Sequence, residues 1–187
     1  MQRYRWFRMA LEYWLRGDIP PGPIKATVVT DVKRIAEILL QFKGSTIILL
    51  GSQLRQIEEL IGEKVIESFT QIAEIIGGDV VVSDSKVIER LDALNYRRYK
   101  ILFPLEVAQN LTKNGSKHKL AVLVGFRYSY AWLILNHLKH YRPDLNTLSL
   151  DPYAQPNATW TTPSLPLQIW FKNIVQLTDT LKNLLSR

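Results

Sequence analysis

The chain contains no cysteine in its 187 residues. Without a thiol it can form no disulfide, offer no thiolate nucleophile, and hold no iron–sulfur cluster or zinc ion through cysteine. The three histidines do not replace these ligands, because His137 and His140 end a predicted helix while His118 lies in a predicted loop, and no carboxylate is spaced to complete a site. The sequence therefore predicts surface histidines and no metal on this chain.

Long uncharged apolar runs are also missing. No stretch approaches the roughly 20 apolar residues that a helix needs to span a bilayer. The amino-terminus interleaves arginine with its apolar residues, which leaves no continuous apolar region of the kind found in secretory signals. We therefore expect a cytoplasmic protein without a membrane span.

Positive charge is in excess, but no nucleic-acid-binding motif accompanies it. Lys and Arg number 24 against 17 Asp and Glu, and the net charge of +7 is concentrated in residues 3–16 and in Arg97, Arg98 and Lys100. Such an excess can steer a protein toward nucleic acid, anionic lipid or an acidic protein. The sequence lacks an aromatic RNA-binding strand, a Gly-x-x-Gly loop and paired metal fingers. We therefore expect no nucleic acid partner and a solvated face at Arg97.

The first 25 residues differ in character from the rest. Residues 1–16 place two Trp, two Tyr and one Phe among four Arg in a pattern compatible with an amphipathic helix, and residues 17–23 hold two Gly and three Pro. The sequence predicts an aromatic, basic helical arm with a Pro-rich linker over residues 1–25, followed by an α/β domain over residues 26–187. Three contacts suit the arm: a partner or second copy, its own domain, or a membrane surface.

Apolar periodicity predicts alternating strands and helices in the domain. Short apolar runs end near residues 50, 82, 124 and 150, a further one covers residues 167–171, and the longest helical pattern covers residues 56–76. Residues 95–119 and 153–166 are predicted to be largely irregular, apart from a short helix beginning at Pro104. Such alternation favours a mainly parallel sheet of five or six strands with helices on both faces, in three layers.

Familiar catalytic and nucleotide fingerprints are absent. Glycine turns follow the strands that end at Leu50 and Val124, but neither has the further glycines of Gly-x-Gly-x-x-Gly or the Gly-Lys-Ser/Thr of a phosphate loop. No Ser-His-Asp set, metal cluster or acid/base carboxylate pair is evident. We therefore predict no catalytic residue on this chain.

Glycines and polar residues collect at the predicted carboxyl ends of the strands. In open α/β sheets ligands bind at this edge, near helix amino-termini. Asp151 is placed to accept hydrogen bonds from a ribose or to begin a turn before Pro152, and Asp84 to cap a helix or to face the cleft. The predicted cofactor-binding residues of this dinucleotide-sized cleft are Gly51, Ser52, Gln53, Ser83, Gly125, Phe126, Arg127 and Asp151.

Four segments resemble the epsilon subunit of the archaeal carbon monoxide dehydrogenase/acetyl-CoA decarbonylase-synthase complex. They read IILLGS at residues 47–52, VVVS at 80–83, VLVGFRY at 122–128 and TLSLD at 147–151, and Asn157-Ala158-Thr159 follows the last. The likeness covers residues 32–159 and, more loosely, the last predicted helix. It implies a Rossmann-like domain similar to the central domain of thiamine-diphosphate enzymes, which in some members holds the ADP part of FAD non-covalently.

The resemblance also implies a partner and a role. In such complexes a large nickel and iron–sulfur alpha subunit oxidises CO, and a chain without cysteine cannot hold those clusters itself. The implied role is a non-catalytic accessory subunit in methanogenesis that binds the alpha subunit, forms oligomers and helps to pass electrons to FAD. Two alternatives stay open: an independent flavin- or dinucleotide-binding module, and a structural homo-oligomer with a vestigial cleft.

Overall fold

The computed structural model describes residues 26–113 and 116–185, so the predicted arm and linker lie outside the described residues. The described chain forms seven strands and seven helices. In chain order they are β1 (Thr27–Val28), α1 (Val32–Gln41), β2 (Thr46–Leu50), α2 (Gln53–Ile61), α3 (Val65–Ile76), β3 (Asp79–Val82), α4 (Ser85–Ala93), β4 (Tyr99–Ile101), α5 (Pro104–Thr112), β5 (Leu120–Val124), α6 (Tyr128–Tyr141), β6 (Asn146–Ser149), β7 (Trp160–Thr161) and α7 (Leu167–Leu185).

All seven strands join in one parallel sheet, in the order β1-β7-β6-β5-β2-β3-β4. The central strands β2 and β5 pair from Thr46↔Leu120 to Leu50↔Val124, and every residue in both is buried. Burial on both faces explains why these strands are continuous apolar runs rather than alternating ones. The predicted α/β, three-layer, Rossmann-like fold is confirmed, although the sheet has seven strands instead of five or six.

Helices cover the two faces of the sheet unequally. The larger core packs side chains such as Ile48 and Val122 against α1, α2, α3, α4 and α7. The smaller core packs side chains such as Ile47 and Ala121 against α5 and α6. Successive strand residues point to opposite faces, so each central strand contributes to both cores. No helix in the described part of the chain combines the length and apolarity needed to cross a membrane.

Glycine divides the longest predicted helix into two. The sequence predicts one helix over residues 56–76, with Gly62 as its weak point, whereas α2 ends at Ile61 and α3 begins at Val65. Gly62 has a left-handed φ of 68°, and its N–H donates to the Glu58 carbonyl at 3.0 Å. A residue without Cβ adopts this conformation readily, which ends α2 at this point.

The carboxyl-terminal third contains the clearest error of the sequence-based prediction. Residues 167–171 are predicted as a strand, but they begin the 19-residue helix α7. Trp170 is fully buried there, and its indole N–H donates to the Leu150 carbonyl at 2.8 Å. A short apolar run carries no period that separates a strand from a buried helix. The strands β1, β4 and β7, of two or three residues each, were missed for the same reason.

Candidate functional site

A cleft of about 400 Å³ opens at the carboxyl ends of the central strands. Ser52 and Gln53 reach it from the turn after β2, Asp84 from the turn after β3, and Arg127 from the turn after β5. This is the edge at which α/β sheets bind ligands, and the volume lies within the range of small-molecule sites. Every lining residue is polar or charged: Ser52, Gln53, Arg55, Gln56, Glu59, Asp84, Lys86 and Arg127.

Two cations of the cleft are left without a carboxylate partner among the described residues. Arg55 is held by carboxylates of its own helix, at 3.1 Å from Glu58 and 3.2 Å from Glu59. Lys86 and Arg127 are exposed and form no ion pair with any residue that the structure describes. An anionic ligand, such as a diphosphate, would therefore meet unpaired positive charge from two different elements.

Asp84 is used as a helix cap. Its Oδ1 accepts the backbone N–H groups of Lys86 and Val87, both at 3.1 Å, at the start of α4. These are the donors that a helix amino-terminus leaves without an internal partner. Asp84 also lines the cleft, so both interpretations of the sequence hold for this residue.

Gly51 and Gly125 bring the turns after β2 and β5 into contact. The Gly51 N–H donates to the Val124 carbonyl and the Gln53 N–H donates to the Gly125 carbonyl, both at 2.8 Å. A Cβ at Gly51 would lie 2.2 Å from the Gly125 oxygen, and one at Gly125 would lie 2.2 Å from Leu54 Cγ. The two glycines therefore serve close packing of the turns. The first N–H of α2 is bound by protein, which leaves it unavailable to a phosphate.

Asp151 lies beneath this pair of turns. Its Oδ1 accepts the N–H groups of Gly125 at 2.6 Å and Phe126 at 3.3 Å, and the residue is 2% exposed. Oδ2 is buried without a hydrogen-bond partner among the described residues. Burial raises the pKa of this carboxyl from its ordinary 3.8 to about 7, although the hydrogen bonds from Gly125, Phe126 and Ser149 oppose the rise.

The structure thus sorts the predicted site residues into two groups. Three of them, Ser52, Gln53 and Arg127, line the cleft. The others lie under or beside it: Phe126 is buried against the Tyr130 ring, with 6.0 Å between the ring centres, and the rest of this group are Gly51, Ser83, Gly125 and Asp151. A ribose contact for Asp151 stays a prediction, and in this structure its carboxylate contacts backbone instead.

Four cleft residues lie one or two helical turns beyond the strand ends. Arg55, Gln56 and Glu59 follow Ser52 at intervals of three and four, which places them on one face of α2. Lys86 holds the corresponding position in the first turn of α4. Helical spacing counted from the predicted turn residues was the signal that would have found them.

The model of the CO dehydrogenase beta subunit/acetyl-CoA synthase epsilon subunit family matches residues 18–177. The chain belongs to this family. Its sequence matches no curated protein. Membership confirms the resemblance of the four segments to the epsilon subunit and makes the chain a subunit of a multi-subunit CO dehydrogenase/acetyl-CoA synthase.

The family match spans the strands that frame the cleft and most of α7. Among the described residues of this family member, no three His, Asp or Glu side chains group as metal ligands. Hydroxyl and amide groups from Ser52, Gln53 and Gln56, together with the Lys86 and Arg127 cations, instead suit a ligand that carries phosphates and sugar hydroxyls.

Proposed function

We propose that this chain is the non-catalytic accessory subunit of a CO dehydrogenase/acetyl-CoA synthase complex, and that it binds the nickel and iron–sulfur alpha subunit and the ADP part of FAD. The observation that supports ligand binding is the polar cleft at the strand carboxyl ends, with Lys86 and Arg127 unpaired among the described residues. Family membership and the lack of cysteine support the proposed partner, since a chain without cysteine would need another subunit to hold such clusters.

The lining chemistry suits the ADP part of FAD better than its ring system. Lys86 and Arg127 would hold the diphosphate, while Ser52 and Gln53 offer partners to ribose hydroxyls. The eight lining residues in the described part of the chain include no aromatic or aliphatic side chain, so these residues do not enclose an isoalloxazine ring. Bound FAD would supply reversible electron transfer, and the residues of this chain would bind and orient it.

The carboxylates of the cleft are committed to structural contacts. Asp84 accepts two N–H groups of α4, and Glu59 pairs with Arg55 at 3.2 Å. A general base must instead be free to take a proton from a substrate within hydrogen-bond reach. This supports a subunit that binds and positions its ligand and leaves bond-making chemistry to the alpha subunit.

One observation favours the alternative of a structural homo-oligomer with a vestigial cleft. In dinucleotide-binding folds the pyrophosphate lies on the helix amino-terminus after the first strand of the motif. Here the Gly125 carbonyl accepts the Gln53 N–H at 2.8 Å at the corresponding turn. The phosphates of a ligand would therefore have to be bound by side chains, whereas a standard site binds them with backbone N–H groups.

Thermal unfolding of the full chain with FAD, ADP or riboflavin tests the cleft. A ligand that binds only the folded state raises the melting temperature by mass action. We expect FAD and ADP to raise it and riboflavin, which lacks the ADP part, to leave it unchanged. If neither FAD nor ADP changes the melting temperature at concentrations well above micromolar, the alternative with a vestigial cleft is correct.

Co-expression with the alpha subunit tests the complex. We expect the chain to elute with the alpha subunit on gel filtration. We also expect it to stay bound to a tagged alpha subunit when the affinity resin that holds the tag is washed. Elution of the chain alone, with the alpha subunit folded and loaded with its metals, would overturn the proposed partner.

A further inference from the structure

The open edge of the sheet at β4 carries three strongly exposed apolar side chains. Ile101 is 64% exposed, Phe103 72% and Leu105 53%, within five positions of the chain. Single exposed apolar residues are ordinary on a protein surface, whereas a group of them marks an interaction site. The edge patch is defined by these three residues and the neighbouring cations Arg98 and Lys100.

The backbone of the edge patch is also available to a partner. β4 stands last in the strand order and pairs with β3 from Val80↔Tyr99 to Val82↔Ile101, and no described strand lies beyond it. The Leu102 N–H donates back to the Val82 carbonyl at 3.2 Å. Neighbouring strand residues direct their polar groups to opposite sides, so Ile101 presents its N–H and carbonyl outward.

The edge is held in place before any partner arrives. The Tyr99 hydroxyl donates to Asp92 Oδ1 at 2.7 Å, and Arg97 forms an ion pair with the same carboxylate. These contacts fix the strand against α4. A preorganised surface loses less conformational entropy when it binds.

Charge distinguishes a different subunit from a second copy. Arg98 and Lys100 are exposed and form no ion pair with the residues that the structure describes. In a two-fold dimer the same patch meets itself, which would bring these cations of one copy toward those of the other. Like charges facing each other across an interface disfavour association, so the charge pattern selects a partner with acidic side chains.

We propose that the edge patch is the docking surface for the alpha subunit, through an apolar contact flanked by acidic residues of that subunit. The identity of the partner rests on the proposed function. Ile101 pairs with Val82, and Asp84 of the cleft follows Val82 by two residues. The docked subunit therefore lies beside the strand carboxyl ends, where the cleft opens.

Binding of the full chain to the alpha subunit tests the edge patch through a matched pair of variants. Leu105 and Leu133 are both helical leucines with exposures of 53% and 54%, but Leu133 lies on α6, outside the patch. We expect Phe103→Ser and Leu105→Ser each to weaken affinity about tenfold, as truncation of an interface anchor does, and Leu133→Ser to leave it unchanged. The double variant Arg98→Glu, Lys100→Glu is expected to weaken binding and to reduce its salt dependence.

The outcomes separate failure of the patch from failure of the proposed function. If the alpha subunit binds wild type and Phe103→Ser equally, or if Leu133→Ser weakens binding as much as Leu105→Ser, the patch is wrong and the complex stands. If the alpha subunit does not bind the wild-type chain, both proposals fail. A wild-type homodimer that Phe103→Ser dissociates in sedimentation would reassign the patch to self-association. Unchanged melting temperatures of the variants establish that each is folded.

Discussion

The Asp151 carboxylate accepts the Gly125 N–H at 2.6 Å, in a position with 2% exposure to solvent. This hydrogen bond ties the end of β6 to the turn after β5, and that turn also contacts the start of α2. The same carboxyl group has its pKa raised by burial to about 7.

Asp151 should make stability depend on pH in the neutral range. Its folded-state pKa of about 7 exceeds the ordinary 3.8, so the folded state binds the proton more tightly than the unfolded state does. The resulting stabilisation is complete below the unfolded pKa and is lost as the pH rises through the folded value. Asp151→Asn cannot ionise, so we expect wild type to lose about 2–4 kcal/mol relative to this variant between about pH 4 and pH 8. Urea unfolding of both proteins across that range measures the difference, and parallel pH profiles would contradict it.

Gly125→Ala is expected to destabilise far more than a glycine substitution in open space. Gly125 has φ of 77°, and a Cβ added there would lie 2.2 Å from Leu54 Cγ. Gly44 has φ of 74°, but a Cβ added there would have nothing within 4 Å. Both variants incur the left-handed backbone cost of about 1–2 kcal/mol, and overpacking at Gly125 adds about 1–3 kcal/mol. Urea unfolding of the two variants isolates the packing cost. Equal losses of unfolding free energy in the two variants would show that the Leu54 side chain can move aside without an energetic cost.

Removing Lys86 or Arg127, the two cleft cations without an ion pair among the described residues, should weaken nucleotide binding. We expect Arg127→Ala and Lys86→Ala each to lower ADP affinity by about tenfold, since each removes a charge-assisted hydrogen bond to phosphate. Lys43→Ala removes the same charge from an exposed position before β2, at the opposite edge of the sheet, and is the control. Calorimetric titration with ADP measures all three. An equal loss in the control would mean that net charge, rather than the cleft, attracts the ligand.

Asp79 is expected to support the amino-terminal edge of the sheet. It accepts Lys117 Nζ at 2.8 Å and His118 Nε2 at 2.9 Å, and the hydrogen bond from Lys117 contributes most to lowering its pKa below 3.8. A lowered folded-state pKa gives stabilisation above the unfolded pKa that is lost as the pH falls through the folded value. Asp79→Asn should therefore cost about 1 kcal/mol at pH 7, and the cost should disappear as the pH falls through the folded-state pKa of Asp79. A deficit that persists in acid would assign the effect to packing.

The central elements of the fold followed directly from sequence because each is a local signal. β2 and β5 are five-residue apolar runs closed by glycine, and such runs require burial on both faces. The order of the strands is a property of long-range packing, and β1, β4 and β7 are too short to show a period. The segment before Trp170 misled for a related reason, because its apolar residues are buried by tertiary contacts that no local pattern encodes.

The cleft was predictable as a place and only partly as a set of residues. Ser52, Gln53 and Arg127 followed from the rule that ligands bind at strand carboxyl ends. Asp151 precedes a proline and therefore resembles an exposed turn residue in the sequence. Its burial depends on the returning chain, where the Thr162 hydroxyl donates to the Asp151 carbonyl at 2.8 Å. The burial of Asp151 is therefore determined by contacts with residues distant in sequence, which a local pattern does not show.

Helix α7, the last element in the described part of the chain, packs on α1 and α3 and contributes Trp170, Ile174 and Leu181 to the larger core. Synthesis proceeds from the amino-terminus, so the apolar surfaces of α1 and α3 are made well before helix α7, which buries them. A nascent chain stopped before Leu167 would present that surface to chaperones or to other nascent chains. Folding of this domain, and with it any assembly into a complex, is therefore completed only after α7 has been synthesised.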